Sequence, residues 1–251
     1  MLLAIVIPVY NERETLREVV ARIDAAPPPM DADVRPVERR LVLVDDRSTD
    51  GSRAIVTELG AQPHVTAVLQ PHNQGKGAAV ALGLQTALEL HADAALIHDA
   101  DFEYDPADHA RALEPIVRGE ADAVIGSRFA HPDRPHEQWP IERRFANQFL
   151  TTLSNLTTGL KLTDMECCTK VFTRPVLERI EIREQRFGLE PEIVARLAGM
   201  SIPSDNGQAR PVRVAEVPVR YDPRGYEEGK KITWRDGLAA IRCILKYAPR
   251  N

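Results

Sequence analysis

The densest chemistry in this 251-residue chain is the run Asp99-Ala100-Asp101-Phe102-Glu103-Tyr104-Asp105, which follows directly on the apolar Ala94-Ala95-Leu96-Ile97. An apolar run that stops on acids has the pattern of a buried strand opening into a polar cleft. Asp-x-Asp at such an end suits a divalent cation held by hard oxygens, with phosphates completing its shell. It equally suits an acidic turn, so the other polar clusters have to decide. Tyr10-Asn11-Glu12 follows the apolar run 2–9, and Asp45-Asp46 follows the apolar run 41–44. Gly75-Lys76-Gly77 precedes an alanine-rich stretch of helical character. Backbone N–H groups at a helix start favour anions there, although the spacing is not that of a P-loop and a lone Gly-Lys-Gly is commonly just a turn. Basic residues collect at Arg143-Arg144 and at Lys230-Lys231, with Arg224 and Arg235 nearby.

The elements that must hold these groups alternate. Residues 2–9 and 41–44 are continuous apolar runs, the pattern of strands buried on both faces of a parallel sheet. Between them Asn11 and Glu14 have capping-box spacing ahead of a helix carrying Leu16, Val19, Val20 and Ile23, which Pro27-Pro28-Pro29 ends. A helix from Ser48 or Asp50, a strand over 64–70, a helix over 78–90 and a strand over 94–97 follow. Asp105 then caps a helix begun by Pro106, and a short strand over 123–125 ends in Gly126-Ser127-Arg128. This alternation predicts a doubly wound sheet whose ligands lie beyond the carboxyl ends of its strands, where all the polar clusters fall.

The second half is less regular. A Pro-rich stretch over 131–139 leads to a helix with Phe145, Phe149, Leu153 and Leu156 at helical spacing. Strands are expected over 170–173 and 211–221, with Pro218 marking an edge. Helices are expected over 191–198 and 234–247, with a charged loop over 221–232 before the last. Trp139, Phe145 and Phe149 are either core or a lipid-facing groove. Arg242, Lys246 and Arg250 either complement the last helix's dipole or meet an anionic membrane. With no internal repeat or linker, one domain over 1–251 is expected.

Composition bounds the function. A net charge of -5 argues against a general nucleic-acid binder. The three cysteines, Cys167, Cys168 and Cys243, have neither metal-ligand nor redox spacing, which predicts a reduced, cytoplasmic protein. The apolar start reads as a strand and not a signal peptide, and no run has the length of a membrane span. Work on a membrane substrate would be done from the surface or with a membrane partner.

Taken in order, Ile5-Val-Ile-Pro-Val-Tyr-Asn-Glu12, Val44-Asp-Asp-Arg-Ser-Thr-Asp-Gly-Ser52, Asn73-Gln-Gly-Lys-Gly77 and Asp99-Ala-Asp101 resemble the family 2 glycosyltransferases of the GT-A fold. Gly126-Ser-Arg128, Thr163-Asp164, Lys170-Val-Phe172 and the segment 224–230 extend the likeness to the dolichyl- and polyprenyl-phosphate mannosyl- and glucosyltransferases. The resemblance implies an α/β three-layer sandwich with a mostly parallel central sheet. It assigns 1–128 to the nucleotide-sugar, and 129–251 to the acceptor with a closing loop over 222–232. It places Pro8, Tyr10, Asn11, Glu12, Asp45, Asp46, Gly75, Lys76, Asp99, Ala100 and Asp101 on the nucleotide-sugar, with Arg224 and Lys230 closing over its diphosphate. It implies Mg2+ or Mn2+ at Asp99, Asp101 and Glu103, although this branch often carries Gln at the last position. Catalytic roles fall on Asp101, Arg128 and Asp164.

The acceptor sets different demands by class. An alcohol must lose its proton to a positioned base, whereas a phosphate monoester is already anionic and needs arginines and hydroxyls to hold it. Ser127, Arg128, Arg143 and Arg144 can supply these for a polyprenyl phosphate. Asp164 falls where related enzymes place a base, so a soluble sugar or phosphoglycerate acceptor is the alternative. Direct displacement inverts the anomeric centre in either case.

Overall fold

The computed structural model describes residues 1–130, 141–185, 188–204, 206–223 and 234–249. Trp139, Arg224, Lys230, Lys231 and Arg250 lie outside the described residues, as do the side chains of Arg143 and Arg235.

Five strands and their helices alternate through the first half: β1 (Leu2–Val9), α1 (Leu16–Ala25), β2 (Glu38–Asp45), α2 (Ser52–Leu59), β3 (Val65–Leu69), α3 (Lys76–Glu89), β4 (Ala94–Ile97), α4 (His109–Val117) and β5 (Ala123–Ser127). The second half holds α5 (Ile141–Thr158), β6 (Lys170–Thr173), α6 (Arg174–Leu177), α7 (Leu189–Gly199), the hairpin β7–β8 (Ser201–Pro203, Ala209–Pro211), β9 (Val214–Pro218) and α8 (Trp234–Tyr247). One seven-stranded sheet runs β3-β2-β1-β4-β6-β5-β9, with β9 and its Pro218 at the edge.

The central strands β1 and β4 and the second half of β2 are apolar because both faces are covered. Leu3, Ile5, Ile7 and Val9 of β1 face one core with α1, α2 and α4, while Ala4 and Val6 face a second with α3, α6 and α7. Each fully buried Leu or Ile contributes roughly 1.5–3 kcal/mol. The small residues of α3 let it lie close to the sheet: a Cβ on Gly83 would come within 2.3 Å of Val6 Cγ1.

Two expectations change. β6 runs antiparallel to β4 and β5, which the apolar pattern alone cannot reveal. Its first residue, Lys170, pairs with Ile97, the last residue of β4, and with Ile125, two residues before the end of β5. The segment leading into β6 therefore lies at the ligand edge of the sheet. Asn11 does not cap α1, whose N-cap is Thr15. Asn11 instead adopts φ +56° and bridges to the loop after β2.

Candidate active site

The loops after β1, β2 and β4 are tied together at the carboxyl edge. Asn11 N donates to Ser48 Oγ at 3.1 Å, and Thr49 N donates to Asn11 Oδ1 at 2.8 Å. Glu12 N donates to Ser52 Oγ at 2.8 Å. Thr15 Oγ1 lies 2.8 Å from the carbonyl of buried Ala100 and 2.9 Å from the Glu12 carboxylate, linking α1 to the Asp99–Asp101 turn. Pro8 is the last residue but one of β1, and Tyr10 is half exposed beyond the strand.

Asp45 and Asp46 are both buried and both engaged within the protein. Asp45 accepts from Arg53 Nη1 at 2.6 Å and from Ser48 N at 3.2 Å. Asp46 accepts from Gln74 N and Gly75 N, each at 2.7 Å. Gly77 N donates to the Gln185 carbonyl at 2.9 Å. Gly75 and Gly77 thus give their N–H groups to protein partners, contrary to the expectation that this turn's backbone faces a phosphate. The anion favoured at the start of α3 is the Asp46 side chain itself.

What the turn does present is the Lys76 ammonium. Its Nζ lies 2.7 Å from Asp99 Oδ1, 3.1 Å from Cys168 Sγ and 3.9 Å from Glu190 Oε1. Burial alone would lower the Lys76 pKa; Asp99, with Cys168 and Glu190, outweighs it and raises it well above the ordinary lysine value. Burial, and after it Asp99, pushes the Cys168 thiol up to about 12, so it is no nucleophile at neutral pH.

Asp101 Oδ1 accepts from Glu103 N at 3.0 Å. Glu103 is buried, and its carbonyl accepts from Asp222 N at 2.8 Å. Asp105 caps the turn at Pro106, accepting from Ala107 N at 2.9 Å, and pairs with Arg220 at 2.9 Å. Among the described residues no three acids, histidines or cysteines close into a metal cage, so Glu103 is not drawn into one with Asp99 and Asp101. The donor set still fits a hard cation, because Mg2+ is commonly bound by one or two carboxylates with waters and substrate phosphates completing the shell.

Beyond β5, the antiparallel entry into β6 brings Thr163 and Asp164 against the end of that strand. Arg128 and Asp164 form a bidentate pair, Nε–Oδ2 at 2.6 Å and Nη2–Oδ1 at 2.7 Å, and Arg128 N also donates to Oδ2 at 3.0 Å. Their side chains are only 8% and 0% exposed. Burial would lower the Arg128 guanidinium, but Asp164 more than compensates and holds its pKa well above the ordinary arginine value. The guanidinium lies 5.2 Å from the Tyr221 ring centre. Ser127 Oγ is buried, 2.6 Å from Thr163 Oγ1. Glu216 of β9 accepts from Thr163 N at 2.8 Å and Asp164 N at 3.0 Å, which fixes this turn. Arg144 is exposed on α5.

Sequence reasoning missed Glu166, Lys170, Glu190 and Glu216. Lys170 is fully buried, with its ammonium donating to the Cys167 carbonyl. A lysine opening an apolar strand was the available signal. Glu190 lies in the first turn of α7, where acids suit the helix dipole, and nothing in its spacing pointed to Lys76.

A mostly parallel sheet between two helical layers, with acids after β1, β2 and β4, is the architecture of GT-A glycosyltransferases. Glucosyl-3-phosphoglycerate synthase from Mycobacterium tuberculosis, solved with Mn2+ and UDP-glucose, superposes with a TM-score of 0.67 at 18% identity, over 99% of this chain and 80% of that one. Mannosyl-3-phosphoglycerate synthase from Rubrobacter xylanophilus gives 0.67 at 16% identity, over 98% and 73%. At such identities the likeness concerns the fold. The sequence is more specific: residues 4–181 match the model of glycosyl transferase family 2, and the chain belongs to that family. It is a glycosyltransferase. Among its relatives, UDP-N-acetylglucosamine--dolichyl-phosphate N-acetylglucosaminyltransferase of Methanococcus voltae is 27% identical over 74% of this chain and 76% of its own length. Polyprenol monophosphomannose synthase of Mycolicibacterium smegmatis is 31% identical over 71% and 64%. Undecaprenyl-phosphate 4-deoxy-4-formamido-L-arabinose transferase of Sodalis glossinidius is 28% identical over 90% and 62%. The chain thus spans less than two thirds of the last two.

Proposed function

We propose that this glycosyltransferase moves a hexose from a GDP- or UDP-sugar to a polyprenyl phosphate, inverting the anomeric centre. The observation that carries this is the Arg128–Asp164 pair. A carboxylate locked in a bidentate pair is poorly placed to deprotonate an alcohol, and a phosphate monoester needs no base. Arg128 and Ser127, with Arg143 and Arg144 of α5, would position that phosphate for attack. The names of the three relatives, each a dolichyl-phosphate, undecaprenyl-phosphate or polyprenol enzyme, support the same acceptor class.

On the donor side, the region over 1–128 would take the nucleotide-sugar, with Tyr10, Asn11, Glu12, Asp45 and Asp46 walling the nucleoside. Lys76, with Arg224 and Lys230 from the closing loop, would neutralise the diphosphate. Asp99 and Asp101 would hold Mg2+ or Mn2+, whose charge stabilises the departing nucleoside diphosphate. The region over 129–251 would meet the acceptor. On α5 the side chains of Phe145, Phe149 and Leu156 are 70%, 59% and 79% exposed, and α8, which packs against α5, exposes Leu238 and Leu245. An apolar surface of that kind suits peripheral contact with the cytoplasmic face of a membrane. Among the described residues no helix is long and apolar enough to cross one.

The test is to incubate UDP-glucose, GDP-mannose and UDP-N-acetylglucosamine with a short polyprenyl phosphate, with Mn2+ or Mg2+ and with chelator, and to weigh the products. Transfer is expected with metal only, and Asp101→Ala should lower it by ~100-fold. Transfer that survives both chelation and Asp101→Ala, or activity confined to soluble sugars or phosphoglycerate, overturns the proposal.

A further inference from the structure

One half-buried carboxyl in the site has no role in the scheme above. Glu166 lies between buried Met165 and Cys167 in the segment entering β6, and its Oε1 is buried with no hydrogen-bond partner among the described residues. A buried polar oxygen without a partner is costly unless a ligand or a proton satisfies it. The charges that act on it come from several elements: Glu190 on α7, Arg128 after β5, Lys170 on β6 and Asp164 on its own segment. Burial, and then the Glu190 charge, lifts Glu166 to about 8, so it keeps its proton at neutral pH. Glu190 Oε1 lies 3.9 Å from the Lys76 ammonium. The site thus combines a carboxyl that carries its proton, Glu166, with a carboxylate paired to a cation, Glu190.

That arrangement matches a sugar hydroxyl, which donates one hydrogen bond and accepts another. We propose that Glu166 and Glu190 together bind a hydroxyl of the transferred sugar, Glu166 donating its O–H and Glu190 accepting. The placement is the one a donor requires. Lys76 and Asp99 sit at 2.7 Å from each other beside Glu190, and the proposed function gives them the diphosphate. The sugar, bonded to the outer phosphate, then comes to the carboxyl pair. This inference rests on that donor assignment. It makes Glu166 and Glu190 specificity-determining residues, since a site built to bond a hydroxyl discriminates strongly against a sugar lacking it.

The pair gives the donor a pH dependence that few other neighbours can imitate. Cys167 is pushed up to about 11 and Cys168 to about 12, both by burial first, and the Lys76 and Arg128 cations are raised further from neutrality. The experiment titrates UDP against UDP-glucose, and GDP against GDP-mannose, each with Mn2+, into wild type, Glu166→Gln, Glu166→Ala and Glu190→Gln at pH 7.5 and pH 9. The readout is the ratio of sugar-nucleotide to nucleotide Kd, which cancels effects on the nucleotide alone. In wild type the ratio should rise about tenfold at pH 9, the loss of one hydrogen bond to a charged pair. Glu166→Gln, whose amide donates at both pH values, should hold the ratio level. Glu166→Ala and Glu190→Gln should show the high ratio at both. A Glu166→Gln ratio that climbs as in wild type, or a Glu166→Ala ratio that stays low, overturns the inference. If the wild type binds neither the nucleotides nor their sugars, the donor assignment itself fails and takes the inference with it.

Discussion

Asp164 is the residue on which two chemistries diverge, so its removal is the most informative perturbation. If it serves Arg128, then Asp164→Leu removes the bidentate carboxylate from a guanidinium buried among Tyr221, Phe129 and the β5 end. Breaking a buried pair from one side costs ~3–5 kcal/mol, well above the ~0–1 kcal/mol of an exposed pair. For a domain of this size that is a fall in Tm of about 10 °C. The assay is urea unfolding of Asp164→Leu, Arg128→Met and the double variant. Removing both charges at once leaves no orphan, so the double variant should recover most of the loss, with a coupling of ~3 kcal/mol. The transfer assay supplies the second readout. Asp164→Asn should lower turnover without changing the shape of the pH profile, because no proton moves through the side chain. Singles within ~1 kcal/mol of wild type and no coupling, together with loss of one limb of the profile, would refute the clamp and restore Asp164 as a base.

Three further outcomes follow from contacts elsewhere in the site. Gly77→Ala would place a Cβ 1.9 Å from the Glu184 carbonyl, on a segment pinned where buried Glu192 accepts from Arg183 N and Glu184 N, so it should cost ~1–3 kcal/mol in urea unfolding. An unchanged midpoint would mean that segment gives way freely. Glu166 keeps its proton in the folded chain up to about pH 8 but releases it near 4.5 when unfolded, so wild-type stability should fall by up to ~1.4 kcal/mol per pH unit between those values. Glu166→Gln removes that slope, and urea unfolding should find its advantage larger at pH 8 than at pH 5; an equal gap at both would contradict the buried proton. Finally, because the Lys76 ammonium already sits on Asp99, Mn2+ alone should bind weakly, and calorimetry should find it at least ~10-fold tighter with UDP or GDP present. Equal Mn2+ affinity with and without nucleotide would rule out that competition.

The central sheet was legible because burial on both faces writes a continuous apolar run, and β1, β2 and β4 each end on polar residues that mark the ligand edge. The same runs carry no sign of direction. That β6 enters antiparallel is decided by where α5 delivers the chain, and this entry is what brings Asp164, Glu166 and Cys168 to the edge. Lys76 and Asp99, and Arg128 and Asp164, came from separate motifs and meet in space as pairs. Glu190 stayed hidden because an acid in a first helical turn is ordinary. The turn at Gly75 is legible as a polar turn opening a helix, but its spacing does not reveal that the Asp46 side chain accepts from Gln74 N and Gly75 N.

These pairings bear on how a donor could be accepted at all. Asp46 is hydrogen-bonded by the turn, Asp99 is paired with Lys76 and Asp164 with Arg128, so these three acids have partners before any ligand arrives. A bare dication approaching Asp99 must compete with an ammonium, and a bare diphosphate approaching Lys76 must compete with a carboxylate. Each alone leaves one charge stranded in a half-buried site, where stranding is expensive. Arriving together, cation and diphosphate give both protein charges a new partner at once. The Arg128–Asp164 pair is more deeply buried, and under the proposed function it would need no such exchange, the acceptor phosphate meeting the cationic face while Asp164 stays behind it. The donor side would then be the one that opens and re-pairs, and the acceptor side the one that holds its geometry.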